Sequence, residues 1–251
     1  MGERPLIFAH RGMSRAAPEN TLPAFARAIE LGVDGVEFDV RLTADKVAVV
    51  VHNDELIAHT TTYDFVSRTP WRALQTVDVG ATFAPQFMGT RIPTLHEVLE
   101  CLAPSNLRMN IEIKAQPYWH FGLENLVIQA VQDFRLEDRV VISSFSPLVM
   151  LRLRFLASHI SRALLVSSRA FFFLNIKLFG RLARVDSLHP LVDIMDHDLV
   201  DLAHEHHWRI VPWTVNTREE MERLLSLGVN GIITDEPQLA LSVVAGYNYG
   251  H

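Results

Sequence analysis

Glu37 and Asp39 stand two residues apart in VEFDV, between Val36, Phe38 and Val40. In an extended chain residues i and i+2 project from the same face, so both carboxylates leave an otherwise apolar strand together. The stretch NIEIK at 110–114 repeats the device with Glu112 and Lys114. Neighbouring carboxylates in apolar surroundings repel each other and lose hydration, and a cation makes them tolerable. Three converging carboxylates beside a lysine therefore point to a divalent metal ion next to an anion. Two more polar groups end apolar runs: His10-Arg11 after LIFA, and His52 after VAVVV.

The elements that must position these groups are legible in the same way. LIFAH (6–10) reads as a buried strand, and PENTLPAFARAIELG as a helix capped by Asn20 or Thr21 and closed by Gly32. The strand at 33–40 and its return from Val47 are too close in sequence for a parallel crossover. They form an antiparallel hairpin turning around Thr43–Lys46, which brings His52 roughly opposite Glu37. From 53 to 91 the pattern is irregular and reads as an inserted lobe, because structureless loops of that length are unusual. Pro93-Thr94 then opens the helix LHEVLECL.

Beyond it the spacing predicts strands at 109–114, 140–145, 162–166, 186–190, 209–215 and 231–235. Helices are predicted near 121–135, 146–157, 171–183, 196–207, 217–227 and 236–245. With the first two strands this makes eight βα units, the α/β TIM (β/α)8 barrel, which takes about 250 residues. The expected organisation is one barrel domain over 1–251, with an inserted hairpin and lobe at about 41–93 after the second barrel strand. Polar residues gather at the C-terminal ends of the strands, where barrels of this kind place their chemistry.

Composition sets the outer limits. The chain has 251 residues, 49% of them hydrophobic and 21% charged, with a net charge of −6. No basic tail recruits a nucleic acid backbone. The single Cys101 excludes an internal disulfide framework and fits a reducing compartment. The opening apolar run is too short for a signal peptide, and no stretch reaches the roughly 18 apolar residues that span a bilayer. A cytoplasmic protein is expected.

An ordered set of motifs carries a family resemblance: HRG (10–12), PENT (18–21), GVDGVEFDVRLTAD (32–45), VVVHND (49–54), IPTLHEVL (92–99), NIEIK (110–114), ISSFSP (142–147), LHP (188–190), VPWTVN (211–216) and GVNGIITDEP (228–237). Together they resemble the glycerophosphodiester phosphodiesterase family across nearly the whole chain. The resemblance implies a TIM barrel with a small insertion, a metal site, and hydrolysis of glycerophosphodiesters to sn-glycerol 3-phosphate and an alcohol. It implies His10 and His52 as an acid–base pair, Glu37, Asp39 and Glu112 as metal ligands, and Arg11 and Lys114 as phosphate holders. The chain departs from the family pattern at Asn53, where Asp is frequent, and at His59, which precedes Thr60-Thr61. These departures bear on the surroundings of His52 and on the lobe.

A three-carboxylate site with room for water and substrate oxygens suits Mg²⁺ or Ca²⁺ better than zinc. Arg11 offers a planar fork and Lys114 a point charge to phosphate oxygens, while two histidines titrate near neutrality. The nucleophile is water or the glycerol 2-hydroxyl, a choice left open here, as is which histidine is base. Against these readings, a lone strand Glu is commonly half of a salt bridge and a strand His a satisfied core residue. Trp213 and Phe145 at strand ends are expected to touch substrate, and Glu19 to orient Arg11 or simply to start its helix. His189 either lines the pocket or packs, and Asp235 caps or pairs. His204, His206 and His207 read as a solvated face, with His197 and His120 at the surface.

The segment 164–182 is apolar on more than one side, with Phe171, Phe172, Phe173, Leu174, Ile176, Leu178 and Phe179 among Arg169, Lys177 and Arg181. A covered barrel helix, a subunit contact and a membrane interface all fit it. Two further functions compete with the leading one: a lysophospholipase D-type phosphodiesterase, and a catalytically silent ligand-binding barrel. The silent version should lack one of the seven charged or imidazole residues, and none is missing.

Overall fold

In the computed structural model, residues 4–114, 122–168 and 172–247 are described, 172–177 without their side chains. Strand β1 (Leu6–His10) leads to helix α1 (Leu22–Leu31) and strand β2 (Gly35–Leu42). A short strand β3 (Ala48–Val50) returns antiparallel along β2, with Val40 opposite Val50. That register carries His52 to the level of Phe38, one residue short of the expected place opposite Glu37.

After an excursion over 51–93 that holds the short helix α2 (Trp71–Leu74), helix α3 (Leu95–Leu102) starts the regular part of the barrel. Thr94 accepts from the Glu97 amide and Glu97 reaches back to the Thr94 amide, a complete capping box. Then follow β4 (Arg108–Ile113), α4 (Leu123–Asp133), β5 (Val140–Ser144), α5 (Pro147–Leu156), β6 (Ser161–Val166) and α6 (Phe172–Ala183). The last units are β7 (Ser187–Pro190), α7 (His197–Glu205), β8 (Arg209–Ile210), α8 (Arg218–Ser226), β9 (Gly231–Thr234) and α9 (Pro237–Gly246). The parallel order is β8-β7-β6-β5-β4-β2-β1-β9, with β3 attached only to β2. The Asn230 amide donates to the Ile210 carbonyl and the Ile233 amide to Pro212, which nearly closes an eight-stranded barrel.

Two sequence expectations change. The strand expected over 209–215 is regular only at Arg209–Ile210, because Pro212 has no amide hydrogen to give to the ladder. Val211 and Trp213 still donate to Leu188 and Pro190, so the path holds while the regularity fails. Helix α1 starts at Thr21, but neither expected side chain caps it: Thr21 donates to the Pro18 carbonyl, and Asn20 is committed elsewhere. The regions of His120 and of Phe171 lie outside the described residues, as do the side chains from Phe172 to Lys177.

Each barrel strand is buried on both faces. Val36, Phe38, Val40, Ile111 and Ile113 pack outward into the layer shared with the helices. Inside, Phe8, Val211 and Ile233 form an apolar floor. Above it the interior is polar: Glu37, Asp39, Asn110, Glu112, Ser143 and His189 are all buried. Gly35 is required by the floor, since a Cβ there would sit 2.6 Å from the Phe8 ring. The excursion has its own small core of Leu56, Val66, Leu74, Val77 and Val79, joined to the barrel through Val49 and Ile92. Its turns are tied by carboxylates: Asp78 accepts from the amides of Gly80, Ala81 and Gly89, and Asp54 from Ser67.

Candidate active site

The chain leaves β1 through two residues in the left-handed region, Arg11 (φ 56°) and Gly12 (φ 79°). A side chain at Gly12 would have to occupy that conformation with its Cβ 2.9 Å from Ala24, so glycine is required. The reversal aims the Arg11 amide at Glu37 Oε2, 3.2 Å away. It also returns the Arg11 guanidinium over the barrel mouth. There Nη1 donates to both oxygens of Glu19 at 2.9 and 2.8 Å, and Nε lies 3.4 Å from Asp39 Oδ2.

Parallel register sets the carboxylates in two rows. His10, Glu37 and Asn110 share one, and Asp39 and Glu112 the next toward the strand ends. Ligand oxygens of Glu37, Asp39 and Glu112 lie within 4.8 Å of one another. Lys114 Nζ sits between two of them, 2.8 Å from Asp39 Oδ1 and 2.6 Å from Glu112 Oε1. Asn20 also turns its side chain to Asp39: its amide donates to Oδ2 at 2.8 Å, and its oxygen accepts from the Asp39 backbone at 3.2 Å.

The electrostatics follow from three buried acids facing two cations. Burial, followed by repulsion from Asp39 and Glu112, pushes Glu37 well above the usual carboxylate range. Burial and Asp39 push Glu112 up to about 7. Asp39 is also raised by burial, but Lys114 and Arg11 outweigh this and hold it far below its ordinary value. Three buried acids thus face two cations, Lys114 and Arg11. Three converging oxygen donors with one cation too few fit a hard divalent ion.

Both histidines face the same cavity of about 220 Å³. Its polar wall is His10, Arg11, Glu37, His52, Glu112 and Lys114, and its apolar wall is Phe145, Leu165, Trp213 and Ile233. Phe145 and Trp213 meet edge to face at 5.5 Å, and the indole nitrogen donates to the His189 carbonyl at 2.8 Å. A larger depression of about 400 Å³ between Leu22, Trp71, Arg91 and Glu97 contains none of these charges, so size alone would point to the wrong place.

Asp235 is the residue that sequence reasoning undervalued. Its Oδ1 lies 2.6 Å from His10 Nδ1, and Asn216 holds it from behind, donating to Oδ2 at 2.8 Å and accepting from its amide at 2.9 Å. Burial raises the Asp235 carboxyl, but the His10 bond outweighs it and holds the group down near about 2. An ionised Asp235 can only accept, so Nδ1 of His10 carries the hydrogen and Nε2 is left toward the cavity. Asn20 and Asn216 had no local signal as site residues, because each acts on a group supplied by a different motif or strand, whereas Asn53 stands next to the His52 whose ring it meets.

His189 does not line the cavity. It is buried beneath it, 3.4 Å from Asn110 Nδ2 and 3.2 Å from Ser187 Oγ. Among the described residues the carboxylate trio is the one cluster with metal-ligand spacing, and His204, His206 and His207 form none.

The model of the glycerophosphoryl diester phosphodiesterase family matches residues 10–239. A glycerophosphodiester phosphodiesterase of Caldanaerobacter subterraneus subsp. tengcongensis is 36% identical over 243 residues, with 96% of this chain and 98% of that one covered. One from Bacillus altitudinis is 32% identical, covering 94% and 97%. Among solved structures, a phosphodiesterase of Oleispira antarctica in complex with the product sn-glycerol-3-phosphate superposes with a TM-score of 0.90 at 25% identity, covering 96% and 97%.

Proposed function

Because the chain belongs to the glycerophosphoryl diester phosphodiesterase family, and is a phosphodiesterase of that kind, we propose that it hydrolyses glycerophosphodiesters to sn-glycerol 3-phosphate and an alcohol in a metal-dependent reaction. The observation that carries this reading is a cavity lined by Glu37, Glu112, two histidines and two cations, with Asp39 completing the carboxylate trio behind its wall. A bound sn-glycerol-3-phosphate in the Oleispira antarctica relative supports the product.

Glu37, Asp39 and Glu112 would hold the ion, Mg²⁺ or Ca²⁺. When bound, it lends positive charge to the phosphoryl oxygens as negative charge builds on them. Arg11 and Lys114, beside the carboxylates, bind the phosphate, Arg11 with its fork steadied by Glu19. Phe145 and Trp213 form the apolar wall against which the carbon skeleton of the substrate rests.

The two imidazoles move the protons. Burial holds His52 below the usual imidazole range, so it enters neutral and accepts a proton from the nucleophile, water or the glycerol 2-hydroxyl. His10, with Nδ1–H fixed on Asp235, presents Nε2 to the leaving alcohol and supplies its proton. The nucleophile's oxygen bonds to phosphorus as the P–O bond to the alcohol breaks, and the alcohol leaves neutral. Where the nucleophile is the 2-hydroxyl, water then opens the cyclic phosphate to sn-glycerol 3-phosphate, His10 taking its proton and His52 returning one to the 2-oxygen.

The test is release of sn-glycerol 3-phosphate from glycerophosphocholine and glycerophosphoethanolamine, in EDTA and then in Mg²⁺ or Ca²⁺, with a lysophosphatidylcholine arm. Metal-dependent release from the water-soluble diesters supports the proposal. Turnover of the lysophospholipid alone would shift the reading to a lysophospholipase D-type enzyme, and none on any substrate to a silent barrel.

A further inference from the structure

Charge is distributed very unevenly along this chain. Of its 23 Lys and Arg and 29 Asp and Glu, seven cations and no acid fall within 140–185, which leaves 16 cations against 29 acids, a net −13, for everything else. This acid-free stretch runs from β5 through α5 and β6 to the end of α6. Not all of its cations face outward. Arg162 is buried, its guanidinium spent on the carbonyls of Ala157, Ser158, Ile160 and Arg184. Arg181 and Arg184 are exposed on and just beyond α6, and Arg154 lies 5.4 Å over the ring of Phe155.

The same stretch concentrates exposed apolar side chains. Among the described residues eleven large hydrophobics are exposed, and six of them, Phe145, Leu148, Phe155, Leu156, Leu178 and Leu182, lie here. Phe155 is the most exposed of all at 79%. The Arg154 guanidinium donates to the Leu182 carbonyl, so the outer surfaces of α5 and α6 adjoin as one face. That face begins at the mouth of the site, where Phe145 lines the cavity and Leu148 opens α5.

We infer that the α5–α6 face docks the enzyme on an anionic lipid surface. An exposed apolar strip bordered by cations is the pattern that seats a protein at a headgroup–acyl boundary, by apolar burial and by attraction to anionic lipid together. The acid excess elsewhere is repelled by the same surface, so this side alone turns toward it. A second copy of the chain is the weaker occupant, because a two-fold contact would set this cationic face against itself. No described helix is long and apolar enough to cross a membrane, so the contact is interfacial. Docked this way, the rim residues Phe145 and Leu148 stand at the edge of the contact. The inference is independent of which diester is cleaved.

The test is co-sedimentation of the full chain with vesicles of phosphatidylcholine alone, or with about one-third phosphatidylglycerol added, at about 0.1 M and about 0.5 M salt. Expected is binding to the anionic vesicles at least about tenfold tighter than to neutral ones, weakened by salt. F155E/L178E and, separately, R181E/R184E should each lose about tenfold or more of that binding. Both should keep the wild-type circular dichroism and turnover of a water-soluble diester. No wild-type binding, equal binding to neutral vesicles, or binding undiminished in both variants would overturn the inference. So would a dimer in light scattering that F155E/L178E dissolves, which would assign the face to a second copy.

Discussion

His10 stands on the barrel and His52 at the junction of hairpin and lobe, and the two rings are backed accordingly. Behind His10 is a chain of fixed partners: Asp235 at 2.6 Å, itself held through two bonds by Asn216. Every member comes from a strand end or the turn just after one. Behind His52, among the described residues, is Asn53, whose Oδ1 lies 2.9 Å from Nδ1 at an exposed position, while Arg41 holds the His52 carbonyl at 2.8 Å. One ring is locked by a buried-edge carboxylate that can stabilise an imidazolium. The other leans on a neutral neighbour in sequence. In the proposed reaction this difference is what lets one cavity present one proton donor and one acceptor although the residue type is the same: the backing, not the imidazole, would assign the role.

Replacing each ring separately puts the most strain on that comparison. H10A and H52A should each reduce turnover of an aliphatic diester by about 10³-fold, within the usual range for a positioned acid or base. With a p-nitrophenyl leaving group, which departs without a proton, H10A should recover most of its loss and H52A little. Equal recovery by both variants would erase the distinction.

A smaller effect separates the backing groups. D235N keeps the shape but removes the negative charge and one of the two acceptor oxygens that serve His10 and Asn216, and should cost about 10²-fold in turnover with KM little changed. It should also move the pH profile, which a merely structural change would leave in place. N53A should cost only a few-fold. A loss from N53A as large as that from D235N would contradict the asymmetry.

The sequence made the scaffold and the charged trio readable, but not their support. Periodicity placed the βα units because burial on both faces of each strand writes a continuous apolar run, and the six-residue gap from Val40 to Val47 forced the hairpin. Glu37, Asp39 and Glu112 stood out because charge in such runs is costly. By contrast Asp235 and His10 are 225 residues apart, and only barrel closure joins them. Asn20 looked like a helix cap because that is what Asn before a helix usually does. Here its amide meets a buried carboxylate instead, and the cap is left unmade. Pro212 cut a regular strand short without displacing it, a balance that follows from neighbouring amides and not from local sequence.

The smallest effect concerns stability beneath the site. Burial pushes His189 down to about 3, whereas it titrates near 6.5 in an unfolded chain. Between these values only the unfolded state takes up the proton, so the fold keeps full stability above pH 6.5 and loses it as pH falls toward 3. The loss is about 1.4 kcal/mol per pH unit. Between pH 7.5 and 5.0 the wild type should lose about 2 kcal/mol more than H189Q in urea unfolding. Equal losses would mean that His189 takes a proton in the fold.

The central claim, that three buried carboxylates short of positive charge hold the ion the reaction needs, is met most directly by titrating EDTA-stripped protein with Mg²⁺ and with Ca²⁺ in a calorimeter while following diester turnover. The account predicts one ion bound per chain, return of turnover in step with binding, and loss of both in E37Q/D39N with the fold retained. Full turnover in the stripped protein, or metal-restored turnover that survives E37Q/D39N, would contradict it.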